Sequence, residues 1–433
     1  APATGTGAGF QQQQLSISSW KLTVALCSLA NFINSADRVI MPITIIQMAD
    51  AYKWSLHDQG VILSAFSVGY LASMLAGGSA ARQYGGKLVL TVAVFLWSLS
   101  TFLAPLCANW FGALVLCRVL LGIGEGLGLP SIFHLFALRV PAEMRSTAFG
   151  YLVAFGSAGQ TIAALACPHL PWQLSFYSFG CAGLLWSLVW LLLYREAAAV
   201  PPLQQRSFQQ LAEQQSAGES GLNGFESKQA SSVRWTEFIS HWPLWAIYIA
   251  HFTMNWSNYI IMNWLPTYLS KTLGADKNQI MFTAVPYILN SFVGIGAGYF
   301  SDALIRERWT ALSVRRLMTF VGLVGPGVLI LLFAGSSSIA LAVLFISLSM
   351  GLSACNSSGH LANHAEVAPG HAGITFAVSN ALATIPGVLC GPLTAELVTK
   401  SGGRWFPVYI LAGLMNLVGA VVYVSQSSAT QLL

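Results

Sequence analysis

Charge is what this 433-residue chain lacks most: 8% of its residues are Asp, Glu, Lys or Arg. A soluble domain is about one quarter charged. So little polar cover excludes one or two water-soluble globules of this length, and with them a soluble enzyme and a nucleic-acid binder. Paired cysteines are missing too. The seven cysteines, Cys27, Cys107, Cys117, Cys167, Cys181, Cys355 and Cys390, form no CxxC and fall in apolar stretches, so they read as small core residues rather than a disulfide framework or metal site. No GxSxG, Walker A or HExxH motif occurs, so no catalytic constellation is expected. An initiator methionine is absent as well. The first 19 residues carry no charge and read as the remnant of a processed or truncated tail.

What is abundant is apolar. Hydrophobic residues make up 55% of the chain, and the mean hydropathy is +0.63. A spanning helix needs about 20 mostly apolar residues. Charge, Pro and Gly punctuate the chain into twelve such candidates: 20–48, 58–81, 88–107, 110–138, 147–170, 172–194, 238–270, 278–303, 313–334, 337–362, 372–398 and 404–425. The expected class is an all-α membrane protein with twelve transmembrane helices in two six-helix halves. The halves cover 20–194 and 238–425. They are flanked by a polar tail at 1–19 and a short tail at 426–433, and joined by a Gln-, Ser- and Glu-rich linker at 195–237.

Lys and Arg orient the chain. Lys53, Lys271, Lys277, Lys400 and Arg404 fall on one side, and Arg38 and Arg118 fall inside the membrane. All other Lys and Arg fall on the side of the linker. That side is expected to be the cytoplasm or its topological equivalent in an organelle. The halves also echo each other. The second span ends Gly77-Gly78 through Arg82 to Lys87, and the eighth ends Gly298, Ser301-Asp302 and Arg306. A parallel duplication of this kind places a binding site between the halves at mid-depth, the architecture of a major facilitator transporter.

Polar residues inside spans are costly and therefore candidates for function. Span 1 carries Asn31, Asn34, Ser35, Asp37 and Arg38, with Asn31, Ser35 and Arg38 on one helical face. Span 4 carries Arg118 and Glu125, seven residues apart and so roughly 10 Å apart along one helix, too far for a direct pair. Counted from the outer end, Arg38 and Arg118 lie at comparable depths of about 18 and 12 Å. Two arginines together suit bidentate binding of a phosphate or carboxylate. Pairing of Asp37 with Arg118 would instead lock two helices, and the two roles are compatible. Glu125 is the candidate proton carrier, because a carboxyl in low dielectric readily exchanges its charge for a proton. A permanent hydrogen bond to a neighbouring helix is the plainer role for it. Span 7 aligns His251, Asn255 and Asn258, with Tyr259 and Asn263 nearby. Spans 10 and 11 add Asn356, His360, Asn363, His364, Asn380 and Thr384. His251 reads either as a packed histidine or as a relay, and His364 and Glu366 as a gate or loop anchor.

These residues carry a resemblance. Asp37-Arg38-Val39 is one motif; Gly69-Tyr70 with Gly77-Gly78 and Gly85-Gly86-Lys87 is a second. Arg118-Val-Leu-Leu-Gly122-Ile-Gly-Glu125-Gly126 with Pro130 is a third. Asn255-Trp256-Ser-Asn-Tyr259, Trp264-Leu-Pro266-Thr-Tyr268, Ser301-Asp302, Arg315-Arg316, Asn363-His364, Ala368-Pro369, Asn380 and Pro386-Gly387 complete the set. Over all twelve spans the chain resembles the anion:cation symporter family of the major facilitator superfamily, which includes sialin, the vesicular glutamate transporters and the plant type 4 phosphate transporters. Its pattern is similar to the plant and algal plastid branch. The resemblance implies a plastid membrane (inner envelope or thylakoid), with a plasma or vesicular membrane as the alternative. It implies symport of phosphate or a small organic anion such as ascorbate, coupled to H+ or Na+, with no cofactor. The partners are the anion and the lipid bilayer, with no nucleic acid, and the chain is expected to act as a monomer. The expected substrate residues are Arg38, Arg118, Asn34, Tyr70, Asn255, Tyr259 and Asn380, and the coupling residues are Glu125, Asp37 and His251. Three departures stand out. Leu63 and Met254 replace a histidine and an arginine of the vesicular glutamate carriers, which argues against glutamate. Arg82 replaces an acidic residue in the loop after span 2. A potential-driven uniporter or channel of the same fold, or a vesicular or lysosomal-type carrier of acidic substrates, is the alternative.

Overall fold

A computed structural model describes residues 6–141, 144–194, 235–369 and 371–433. Most of the linker read at 195–237, and residues 1–5 of the tail, lie outside the described residues. Each expected span is a helix: α1 (Thr6–Tyr52), α2 (Leu56–Tyr84), α3 (Gly86–Cys107), α4 (Phe111–Arg139), α5 (Arg145–Ala166) and α6 (Trp172–Leu193). The second half holds α7 (Trp242–Lys271), α8 (Lys277–Arg306), α9 (Ala311–Ala334), α10 (Ile339–Val367), α11 (Ala372–Lys400) and α12 (Phe406–Gln426). Two of these are not uniform. A 3-10 turn at Met281–Ala284 interrupts α8 and another at Ala354–Ser357 interrupts α10.

Among the described residues, nine of the twelve are long and apolar enough to cross a membrane by composition alone. The other three are α1, α2 and α7. They carry part of the polar set singled out above, including Asn34, Asp37, Arg38, His251 and Asn255, and pack where the halves meet, α1 on α7 and α2 on α11. Their polar groups meet each other rather than lipid, which is the only arrangement hydrocarbon tolerates.

The packing repeats with a shift of six helices. In the first half α2 packs on α4, α3 on α4, α1 on α5 and α3 on α6; in the second, α8 packs on α10, α9 on α10, α7 on α11 and α9 on α12. Helix starts repeat as well. Ser55 Oγ accepts from the Asp58 N–H and Asp58 returns a bond to the Ser55 N–H, opening α2. Asp276 and Gln279 form the same reciprocal cap at the start of α8. Each cap satisfies two N–H groups the first turn would otherwise leave unpaired. Gly85, at φ 86°, turns the chain from α2 into α3 in one residue, a conformation that favours glycine.

The halves touch through α1–α7, α2–α11 and α5–α8. At the face opposite the linker they share one apolar cluster, in which Ile40, Ile43, Ile62 and Leu63 pack with Trp256, Ile260, Trp264 and Leu269. Among the described residues two acid–base contacts cross between the halves, both at that far face: Lys271 Nζ to Asp50 Oδ1 at 2.6 Å, and His57 Nε2 to Glu396 Oε2 at 3.4 Å. Lys400 also holds Glu396, at 2.7 Å. Nearby, Gly60 and Gly391 bring the backbones of α2 and α11 together so closely that a β-carbon on either would strike the other's carbonyl oxygen. Nearer the linker face each half has its own apolar cluster, one around Trp97 and Trp190, the other around Tyr248 and Tyr423. All seven cysteines are free thiols, but Cys181 is exposed and Cys107 half-buried. In a membrane an apolar stretch faces lipid as readily as core, which is why these two depart from the expectation of core residues.

Candidate functional site

The glycine run of α4 builds the site. Gly122 lies against the Phe66 carbonyl and the Tyr70 amide, and Gly69 of α2 lies against the Val119 carbonyl, with no room for a side chain at either contact. Such small-residue contacts let two membrane helices approach at backbone distance. The approach carries Phe66 and Tyr70 over the charged residues of α1 and α4.

Arg38 Nε donates to Glu125 Oε2 at 2.7 Å. Glu125 is fully buried and the Arg38 side chain is 21% exposed. This pair was not foreseen: sequence spacing excluded Arg118 as the direct partner of Glu125 but did not reveal that Arg38 faces it. Arg38 Cζ stands 4.9 Å from the Tyr70 ring and 5.1 Å from the Phe66 ring, and Arg118 Cζ stands 5.7 Å from Phe66. One aromatic face therefore contacts both guanidinium groups, a cation–π arrangement. Phe66 went unnoticed in the sequence; its spacing of four residues from Tyr70 was the available signal. Arg118 is buried, and its Nε and Nη1 have no hydrogen-bond partner; nor have Arg38 Nη2, Glu125 Oε1 and both oxygens of Asp37. The suggested Asp37–Arg118 lock is thus not closed by a hydrogen bond, although the two charges are neighbours. Asn34 lies beside Glu125.

Tyr259 comes from the other half. Its ring fits against Gly387 of α11 beside Ser67, and it lies close enough to Arg38, as does Tyr70, to interact with its charge. Arg38, Arg118, Asn34, Asp37, Glu125, Tyr70 and Tyr259 are therefore brought together at the junction of α1, α2, α4 and α7. The remaining three candidates are not. Asn255 Nδ2 donates to the His251 carbonyl at 3.0 Å on its own helix. Asn380 Nδ2 and Thr384 Oγ1 each reach Met74 Sδ at 3.9 Å, a contact across the halves. His251 is buried against Ser379, Nδ1 to Oγ at 2.8 Å, in a separate group with His360. Of the three departure positions, Leu63 is part of the far-face apolar closure, Met254 packs on the apolar cluster of the second half, and Arg82 is exposed in the last turn of α2. Glu366, read with His364 as a gate or loop anchor, pairs with Arg315 at 2.8 Å. Among the described residues no group of three or more His, Cys, Asp or Glu is arranged to hold a metal ion.

Chemically, this is a buried site in which two cations and two carboxyl groups are close and incompletely paired. Unmet donors on two arginines suit an anion with several acceptor oxygens. The displaced Glu125 carboxylate would need a proton.

Residues 27–389 match the Major Facilitator Superfamily. The chain is 32% identical over 395 residues to sialin of Ovis aries, covering 87% of this chain and 77% of that protein. It is 29% identical over 406 residues to sodium-dependent phosphate transport protein 1, chloroplastic, of Arabidopsis thaliana, covering 92% and 77%. The fold superposes on a bacterial homolog of the human lysosomal transporter Spinster with a TM-score of 0.73 at 15% identity, over 95% of this chain and 97% of that one. The chain is an integral membrane transporter belonging to the Major Facilitator Superfamily, within its anion:cation symporter family.

Proposed function

We propose that the chain carries inorganic phosphate or a small organic anion such as ascorbate, in symport with H+ or Na+, across a plastid membrane. The observation that carries this reading is the buried Arg38–Glu125 pair beside the unpaired donors of Arg118. Glu125 engages Arg38 directly. An incoming anion competes for the same guanidinium, and Glu125, displaced into low dielectric, takes up a proton. Anion and proton then occupy the site together, which is symport. The halves, 20–194 and 238–425, rock about this site as a monomer, and the linker and termini face the cytoplasm or its equivalent. The plastid assignment and the choice of phosphate are supported by the chloroplastic relative, named for sodium-dependent phosphate transport. No resident cofactor takes part.

The second half adds Tyr259 and no arginine to this site. A compact or hydroxyl-rich anion fits it. A dicarboxylate would bury its second carboxylate without a partner, at a cost of several kcal/mol. Uptake of phosphate or ascorbate into proteoliposomes is therefore expected to exceed that of glutamate under imposed pH, Na+ and voltage gradients. Robust glutamate uptake without competition by phosphate or ascorbate rejects the reading. Glu125→Gln mimics the protonated carboxyl and should uncouple net uptake from the pH gradient while anion exchange survives. A normal response to the pH gradient in that variant would leave Na+ coupling or a potential-driven uniporter instead.

A further inference from the structure

Away from Arg38 and Glu125, the second half buries three imidazoles together. His251 comes from α7, and His360 and His364 from α10 beyond its break at Ala354–Ser357. All three are nearly or fully inaccessible, and the rings of His251 and His360 are 5.8 Å apart. His251 Nδ1 meets Ser379 Oγ at 2.8 Å and His364 Nδ1 meets Thr375 Oγ1 at 3.0 Å. The other contacts are missing. Both ring nitrogens of His360, Nε2 of His364 and Oδ1 of Asn363 have no partner. A neutral imidazole has one donor and one acceptor nitrogen, and leaving both unmet in an interior is costly. Such groups are met by internal water.

The surroundings fix how much charge the group holds. Tyr248 of α7 stacks on His364, and Tyr423 of α12 meets His360 edge-on while accepting from Asn363 Nδ2 at 2.9 Å. The nearby ionic groups, Arg315 of α9 and Glu366 of α10, are engaged with each other. From α11 come Ser379, Thr375 and, at its linker-face end, half-buried His371, whose carbonyl accepts from the Thr375 N–H at 3.1 Å. Among the described residues the carboxylate nearest in sequence to the rings is Glu366, held by Arg315 through Oε1 with Oε2 unpartnered; the group takes one proton at a time, since two imidazolium charges this close in low dielectric repel strongly.

We propose that His251, His360 and His364 form a proton relay through the second half, a protonation site distinct from Glu125. A proton arriving from water at the linker face bonds to the free nitrogen of one ring, and the N–H on that ring's other nitrogen passes to the next acceptor through bridging water. Charge is balanced at each step, and each ring resets by exchanging tautomers. His251 delivers the proton on α7, eight residues or about 12 Å from Tyr259 and the anion site. The role in coupling rests on the transport reading above; the tautomer exchange does not.

Two measurements on the full chain test it. In proteoliposomes, His360→Phe and His360→Gln should each lower phosphate uptake driven by a pH gradient by about tenfold, while phosphate–phosphate exchange at matched pH stays within about twofold. Gln retains hydrogen bonding but cannot relay. Unchanged driven uptake in either variant, or an equal fall in exchange and driven uptake in both, overturns the relay. In nanodiscs, 15N-histidine spectra should show His360 averaging between its Nδ1–H and Nε2–H tautomers. A single fixed tautomer in each of the three rings overturns it independently of any transport. Absence of all anion uptake and exchange in the parent, with tautomer averaging present, rejects the transport reading and leaves the relay standing.

Discussion

Arg38→Ala is expected to reduce anion uptake about 100-fold or more while the protein still reaches the membrane. The substitution removes the donor of the 2.7 Å bond to Glu125 and the cation lying over Phe66 and Tyr70. Breaking a buried pair from one side costs about 3–5 kcal/mol, because the carboxylate is left uncompensated. Glu125 escapes that cost by protonation, so the chain folds but its anion site has lost a cation. Adding Glu125→Gln should therefore improve yield without restoring uptake. Arg38→Lys should rescue poorly, since a point charge does not reproduce the planar fork or its stacking on the rings. Arg118→Ala should behave like Arg38→Ala, as Phe66 contacts both guanidinium groups. Uptake normalised to reconstituted protein measures the series. Retention of a third or so of parental uptake by Arg38→Ala would remove Arg38 from the binding site.

The second large effect is conformational. Gly391→Val should arrest transport by preventing closure of the far face. A side chain at Gly391 has no space against the Gly60 carbonyl and Ser64 Oγ, and backbone that close yields only by separating α2 from α11. The Gly391 N–H bond to Ser64 Oγ, at 3.1 Å, would be lost with it. The strain exists only when that face is shut, so the variant should populate the state open there rather than unfold. A cysteine pair introduced at Asp50 and Lys271, whose side chains now meet across the halves, reports the closure. Efficient cross-linking of that pair in Gly391→Val, equal to the parent, would refute the argument.

Much of the architecture was legible in the sequence because a bilayer imposes one rule on every span. Nine of the twelve spans follow from apolar length alone; the other three, α1, α2 and α7, needed the punctuation around them, and the duplication was visible in the matching ends of the second and eighth spans. Depth was legible too: counting residues from the outer end placed Arg38 and Arg118 at comparable levels, and they share one aromatic face. Rotation was not. Whether Arg38 faces Arg118 or Glu125 depends on how α1 sits against α4, which no local pattern encodes; the backbone contacts at Gly122 and Gly69 set only how α2, with Phe66 and Tyr70, lies on α4. The same limit hid the histidine group, since His251 and His360 lie on different helices and meet only through the packing of α7 on the broken end of α10. Asn255 shared a face with His251 on paper, but its amide is spent on that residue's carbonyl.

The ion pairs at the far face have a consequence for how the transporter senses its two compartments. Asp50 with Lys271 and His57 with Glu396 are roughly half exposed. Attraction between solvated charges is damped by dissolved salt over a Debye length of about 8 Å at physiological strength, whereas the buried Arg38–Glu125 pair is shielded from it. Raising ionic strength on the far side alone should therefore loosen closure and shift the resting population outward. Among the described residues, the same salt added on the linker side meets no pair that joins the halves. The molecule then has a built-in sidedness toward electrolyte, independent of the anion it carries.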